Sequence, residues 1–237
     1  MLTGPVRQVP WPRIVAEAVA IVASILLAFA IDAWWQDRSQ RLEARDLAAK
    51  LHADFRESQA HLEVWRAGSR RIHSGTGEFL DLLKRADKGQ ELEVPLRLVV
   101  AAIGAPTYSP TDAAVELLSS AGETRLNENL HNALARWRQQ IADTSEDELL
   151  IRGIVVNHLV PELSRQARLA AAFEYERITG HFAGRDAAAS DEFVSITVTP
   201  MLEAALAERH FYSTFVVEGL DAIYQTQAQI LEFLEHF

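Results

Sequence analysis

Residues 14–31 read IVAEAVAIVASILLAFAI, an apolar run interrupted only by Glu17 near its start and Ser24 in its middle. A hydrocarbon core of about 30 Å takes about 20 apolar residues, at about 1.5 Å of rise each. The run is marginal on its own, and its flanks extend it. Trp11 precedes it, and Trp34 and Trp35 follow it. Indole rings prefer the headgroup level, where the ring is buried and the N–H stays wet. A helix from Trp11 to Trp34 rises about 35 Å, the separation of two membrane interfaces. A core helix of a soluble protein has no reason to carry tryptophan at both ends. A cleaved signal peptide ends at small residues, whereas this run ends in Ile31, Asp32, Ala33, Trp34 and Trp35. The expected organisation is a short tail (residues 1–12), a retained transmembrane helix (13–35) and a soluble domain (36–237).

Ala16, Ala20, Ser24 and Ala28 repeat every four residues and share one face of that helix. In lipid there is little hydrophobic drive between helices, so close backbone approach at small residues favours association. The face therefore reads as a helix–helix interface, although alanine is also simply common in helices. Glu17 stands four residues from Arg13, where it pairs or snorkels; a proton site is the sharper alternative. Orientation is weakly specified. Counting Lys and Arg places the domain in the cytoplasm, because Arg38, Arg41, Arg45 and Lys50 follow the span. Arg13 next to the span and Asp32 at its other end favour the opposite, and the domain is taken as periplasmic.

No proline occurs from Gln36 to Val94. Within that stretch Leu51, Phe55, Ser58, Leu62, Trp65, Ser69, Ile72, Thr76, Phe79 and Leu83 recur at spacings of four and three, the seam of a packed helix. The membrane helix is thus expected to continue into the domain to about Lys88, with Gly68, Gly75 and Gly77 as possible breaks and Asp87-Lys88-Gly89 as its end. The segment PLRLVVAAIG is too short to span and reads as a buried helical turn or two. Ser109-Pro110-Thr111-Asp112 reads as a helix start, and that helix is expected to end at Gly122. Asn127 caps the next helix, whose seam is Leu130, Leu134, Trp137, Ile141, Thr144, Ile151 and Val155. The acidic patch at residues 143–146 is a place for a bend, and Pro161 for a kink or an end. A helix to Gly180 follows, then a linker over residues 181–193. SITVT is strand-like in composition but has no evident partner. Thr199-Pro200 starts the last helix, with Leu206, Ser213, Val216, Leu220, Ile223, Gln227, Ile230 and Leu234 on its seam. The expected fold is all-α: one N-terminal transmembrane helix continuing into a long-helix antiparallel bundle.

The segment AEAVAIVASILLAFAIDAWWQDR resembles the start of a family of uncharacterised bacterial single-span membrane proteins. Their N-terminus runs from a glutamate through an aliphatic stretch to a short polar step and a tryptophan, here Glu17, residues 25–29, Asp32 and Trp34. YSPTDAAVELLSSAGETRL resembles a second recurring piece, a short helix ending in Ser-Ser-Gly, here Ser119, Ser120 and Gly122 with Ala121 inserted. Family members often carry a glutamine where this chain has Ala30. The two pieces cover under a quarter of the chain. The resemblance implies a bacterial inner membrane and a single-span architecture, and it assigns no catalytic residue.

A di-metal carboxylate bundle needs a Glu-x-x-His pair on each of two helices. One such pair is evident, Glu128 and His131, in a first turn where the helix dipole already accounts for an acid. Glu57 and His61 form an i,i+4 pair that suits a surface contact equally well. There is no cysteine, no phosphate-binding glycine loop and no nucleophile elbow. Ser58, Ser69, Thr76, Thr144 and Ser213 read as small packing residues that set register. The formal charge of −10 lies beyond the membrane region, because Arg7 and Arg13 cancel Glu17 and Asp32. An acidic domain argues against nucleic-acid binding. No metal, cofactor or catalytic residue is assigned. The expected function is a membrane-anchored scaffold or accessory subunit, with the lipid bilayer and either a second copy or a membrane complex as partners. The alternatives are a ligand-sensing bundle that works through a partner protein, and a di-metal enzyme.

Overall fold

With no proline between Pro12 and Pro95, nothing in the chain removes a helical hydrogen bond over that interval. A computed structural model of the protein, which describes residues 11–110, 128–166, 169–179 and 192–236, shows one helix there. Helix α1 spans Trp11–Lys84, 74 residues. It runs through both compact units of the chain, Met1–Ala48 and Ala49–Phe237.

In the first unit, every described side chain from Val15 to Arg38 is exposed. In the second unit the seam is buried as its spacing predicts: Leu51, Phe55, Leu62, Ile72, Thr76, Phe79 and Leu83 are all enclosed, while Ser58 and Trp65 are half-buried. The glycines named as weak points do not interrupt α1. A Cβ at Gly75 would lie 2.7 Å from Ala101 Cβ, and one at Gly77 would lie 2.9 Å from His210 Cε1. These glycines are places where neighbours come close, and tertiary packing outweighs their poor helix propensity. The helix ends at Lys84, before the expected Asp87-Lys88-Gly89 stop. Gly89 instead carries the left-handed backbone (φ +83°) of a turn closed by Gln90 N–H to Asp87 O, 3.0 Å.

That turn leads into β1, Glu91–Pro95, which pairs antiparallel with β2, Phe193–Thr197. The expectation that SITVT lacks a partner is therefore corrected. The partner is ELEVP, whose alternation sets Val94 opposite Val194 and Leu92 opposite Ile196. Val94 and Ile196 are fully buried. Two strands are marginal alone, and a side chain supports these, since Gln166 Oε1 accepts from Thr197 N–H at 2.9 Å. Helix α2, Leu96–Ile103, is the expected buried pair of turns, with all but Arg97 buried.

Helix α3, Glu128–Ile154, passes straight through residues 143–146 and into a π-helical turn, Val155–Leu159, then into α4, Val160–Gln166. Pro161 does not end the run. Its ring has no N–H and would crowd the carbonyl four residues back, and the wider turn just before it relieves that conflict. Helix α5 is Leu169–Thr179. Helix α6 is Pro200–Glu235, with Thr199 as its cap accepting from Leu202 N–H at 3.1 Å and proline in the first turn, as the sequence predicts. Its eight seam residues are all buried. Three long helices supply the core of the second unit. Phe55 and Trp137 meet there edge to face with ring centroids 5.0 Å apart. Among the described residues the fold is all-α apart from one two-stranded ribbon. Residues 111–122 of the expected helix, the Asn127 cap and residues 181–191 of the expected linker lie outside the described residues, while Phe193, expected at the end of that linker, opens β2.

Candidate functional site

Two regions hold side chains that packing alone does not explain, one in each unit, and each is described by itself.

In the first unit Ala16, Ala20, Ser24 and Ala28 are all exposed, so no described part of the chain covers that face. The Ser24 hydroxyl donates to the Ala20 carbonyl of its own helix at 2.7 Å. Its polar group is thereby satisfied without a partner helix, which is what an apolar surrounding requires. Ser24 thus contributes smallness to the face and makes no demand for an interhelical bond. Trp34 and Trp35 are exposed, and the Arg38 guanidinium lies over the Trp34 ring at 5.8 Å. Gln36 donates to Asp32 at 3.0 Å, and Arg41 pairs with Asp37 at 2.7 Å. Side-chain polar pairs thus follow directly after the apolar run. The side chains of Trp11 and Arg13 lie outside the described residues.

In the second unit the polar seam residues are wired together across helices. Ser58 lies 3.3 Å from the Tyr108 hydroxyl, and Gln227 Nε2 donates to Ser58 at 3.1 Å. Burial raises the Tyr108 phenol despite those bonds. Arg66 and Arg70 both reach Asp221, each at 2.8 Å, and Arg66 lies 4.0 Å from the centre of the Tyr224 ring. Burial works against the ionised Asp221, but the hydrogen bonds from Arg70 and Arg66 win and hold it below its ordinary value.

Deeper in, Arg209 is completely enclosed. One of its terminal nitrogens donates to Thr76 Oγ1 at 2.7 Å and the other to the Gly104 carbonyl. Its Nε has no partner. Burial alone drives the guanidinium down to about 9. Next to it, Ser213 donates its proton to the His210 carbonyl at 2.7 Å, so it accepts from His73 Nδ1–H at 2.8 Å. The His73 and His210 rings stack at 4.3 Å. Burial, then His210, then Arg209 hold His73 below its usual value. Facing Arg209 across a small cavity is Glu148, 5% exposed, both of whose oxygens accept from Tyr108 N–H, at 3.0 and 3.2 Å. Burial raises this carboxyl to about 7, against the opposing pull of that bond and of Arg152.

Sequence reasoning placed Ser69, Thr76, Thr144 and Ser213 correctly in the core and Ser58 at its edge, but took them only as small residues. It missed Arg209 and Glu148. A signal for both exists: each fills a gap in a seam, Arg209 between Leu206 and Ser213, Glu148 between Thr144 and Ile151. The Glu128–His131 and Glu57–His61 pairs are exposed. Among the described residues no three His, Asp or Glu converge as metal ligands.

These features define a helical domain that follows one helix long and apolar enough to cross a membrane. No family model, curated protein or solved structure matches the chain.

Proposed function

We propose that this is a single-pass protein of the bacterial inner membrane that self-associates and serves as a scaffold or accessory subunit of a membrane complex, with its soluble domain in the periplasm. The carrying observation is the uniform exposure of the described side chains from Val15 to Arg38. Large apolar groups such as Ile25, Leu26, Leu27 and Phe29 are between 50% and 68% exposed. Nothing described in the chain shields them, and water is a poor solvent for a run of this length. Lipid accommodates them, and a second helix fits against the face of Ala16, Ala20, Ser24 and Ala28. Ser24 supports that use, because its self-satisfied hydroxyl leaves the face apolar and narrow.

The membrane-side resemblance to single-span bacterial proteins and the position of Arg13 support the compartment and the orientation. The domain adds a rigid body cross-tied by the Arg66–Asp221 and Thr76–Arg209 bonds, which suits a scaffold.

The test is crosslinking of the full chain in native membranes. The wild type yields a discrete oligomer or a defined hetero-complex, and Ala20→Leu with Ser24→Leu reduces it. A strict monomer with no co-purifying partner, unchanged by both substitutions, refutes the proposal.

A further inference from the structure

We propose that the cavity between Glu148 and Arg209 is a site for one small monovalent anion, of the size of chloride, taken up together with a proton on Glu148. The site does not depend on how the chain is anchored or whether it self-associates.

The cavity measures about 20 Å³ and is walled by Ser69, Ile72, Gly104, Glu148, Arg209 and Ser213 among others. One water needs at least about 10 Å³, so there is room for a single water or a monatomic ion and little more. Arg209 supplies a positive charge near neutral pH with no exposed surface. Among the described residues it has two neutral hydrogen-bond acceptors and no ion-pair partner, and its Nε bonds to nothing. A buried cation without a counterion is costly unless something compensates it. The acid on the same cavity, Glu148, is directed at the Tyr108 N–H and forms no ion pair with Arg209.

The charge states couple through whatever fills the space. With Glu148 ionised, an anion in the cavity would be pressed against a carboxylate. With Glu148 protonated, the walls carry one net positive charge and an anion neutralises it. Glu148 is already lifted to about 7 by burial, so its proton is available near neutrality. The polar groups that face it pull the other way and are outweighed by burial. Arg152 on its own helix favours the ionised form, Tyr108 N–H does the same, Arg209 faces it from α6, and α1 presents only neutral Ser69 and Ile72. His73 and His210 lie beyond Ser213, and His73 is held towards its neutral form.

The test is thermal unfolding of the full chain in mild detergent, in sodium chloride against sodium gluconate of equal ionic strength. Chloride is expected to raise the midpoint by about 2–4 °C at about pH 6 and to lose its effect by about pH 8.5. Glu148→Gln, permanently neutral, keeps the chloride response at both pH values, and Arg209→Met abolishes it at both. Equal midpoints in the two salts for wild type and Glu148→Gln mean that water alone fills the cavity, and they overturn the proposal. A full chloride response that survives in Arg209→Met overturns it as well. If Arg209→Met does not fold, the presence or absence of a pH-independent response in Glu148→Gln decides.

Discussion

Replacing Arg209 by methionine sets two opposing effects of known size against each other. Burial lowers the guanidinium from the ordinary arginine range to about 9, which at about 1.4 kcal/mol for each pH unit corresponds to roughly 5 kcal/mol against the charged form in the fold. Methionine removes that cost and fills most of the same volume. Against it, the Gly104 carbonyl loses its donor, worth about 1–3 kcal/mol when left buried and unpaired. Thr76 is less affected, because its own hydroxyl still donates to the Ile72 carbonyl at 2.6 Å. The balance favours the variant by about 2–4 kcal/mol, inside the range of about 1–4 kcal/mol seen when buried ionic groups give way to apolar ones. The sign of the pH dependence follows from linkage. A base whose folded pKa is depressed costs most below about 9 and progressively less as pH rises above that value, so the variant's advantage shrinks there. The assay is denaturant unfolding of the full chain in mild detergent and sodium gluconate, followed by far-ultraviolet circular dichroism. A variant less stable than wild type by more than about 1 kcal/mol would show that the two hydrogen bonds outweigh desolvation, and the reasoning fails.

At Gly219 a Cβ would overlap the Thr144 hydroxyl, which is tied to the Gln140 carbonyl at 2.8 Å. Gly219→Ala gains about 1 kcal/mol of helix propensity but loses about 1–3 kcal/mol to overpacking. It should be destabilising in the same unfolding assay, and adding Thr144→Ala should bring stability back to wild type or above. Glu148 has a folded pKa near 7, above its ordinary 4.5. Its burial therefore costs nothing at low pH, where both states are protonated, and stability falls as pH rises from 4.5 to about 7. Glu148→Gln should remove that fall and gain at most about 3 kcal/mol above neutrality. A gap between the two proteins that does not widen from about pH 5 to about pH 8 contradicts this assignment.

Much of the fold was legible because heptad spacing reports burial directly. The seam residues of α1 and α6 named from spacing alone are the residues the structure encloses or half-encloses, including the polar ones. What the pattern could not show was chemistry entering the seam as charge. Arg209 and Glu148 sit where the spacing demands a core residue, yet their side-chain types argue for the surface, and so each read as a gap. Following the spacing through the gaps would have found both. The ribbon was missed for another reason. ELEVP is a short, acidic stretch whose pairing with residues 193–197 is non-local, and no periodicity within either segment reports a partner about 100 residues away. The role of Gly75 and Gly77 stayed open in the sequence because glycine marks both weak helices and close approaches, and only the neighbours, Ala101 and His210, tell them apart.

The account rests on the apolar run of α1 lying in a bilayer, and alkaline carbonate extraction of membranes carrying the full chain tests it most directly. A spanning helix is inserted effectively irreversibly, so the chain should stay in the pellet through carbonate and high salt and enter the supernatant only with detergent. Release of the intact chain by carbonate, or its recovery as a soluble protein without detergent, would contradict the claim.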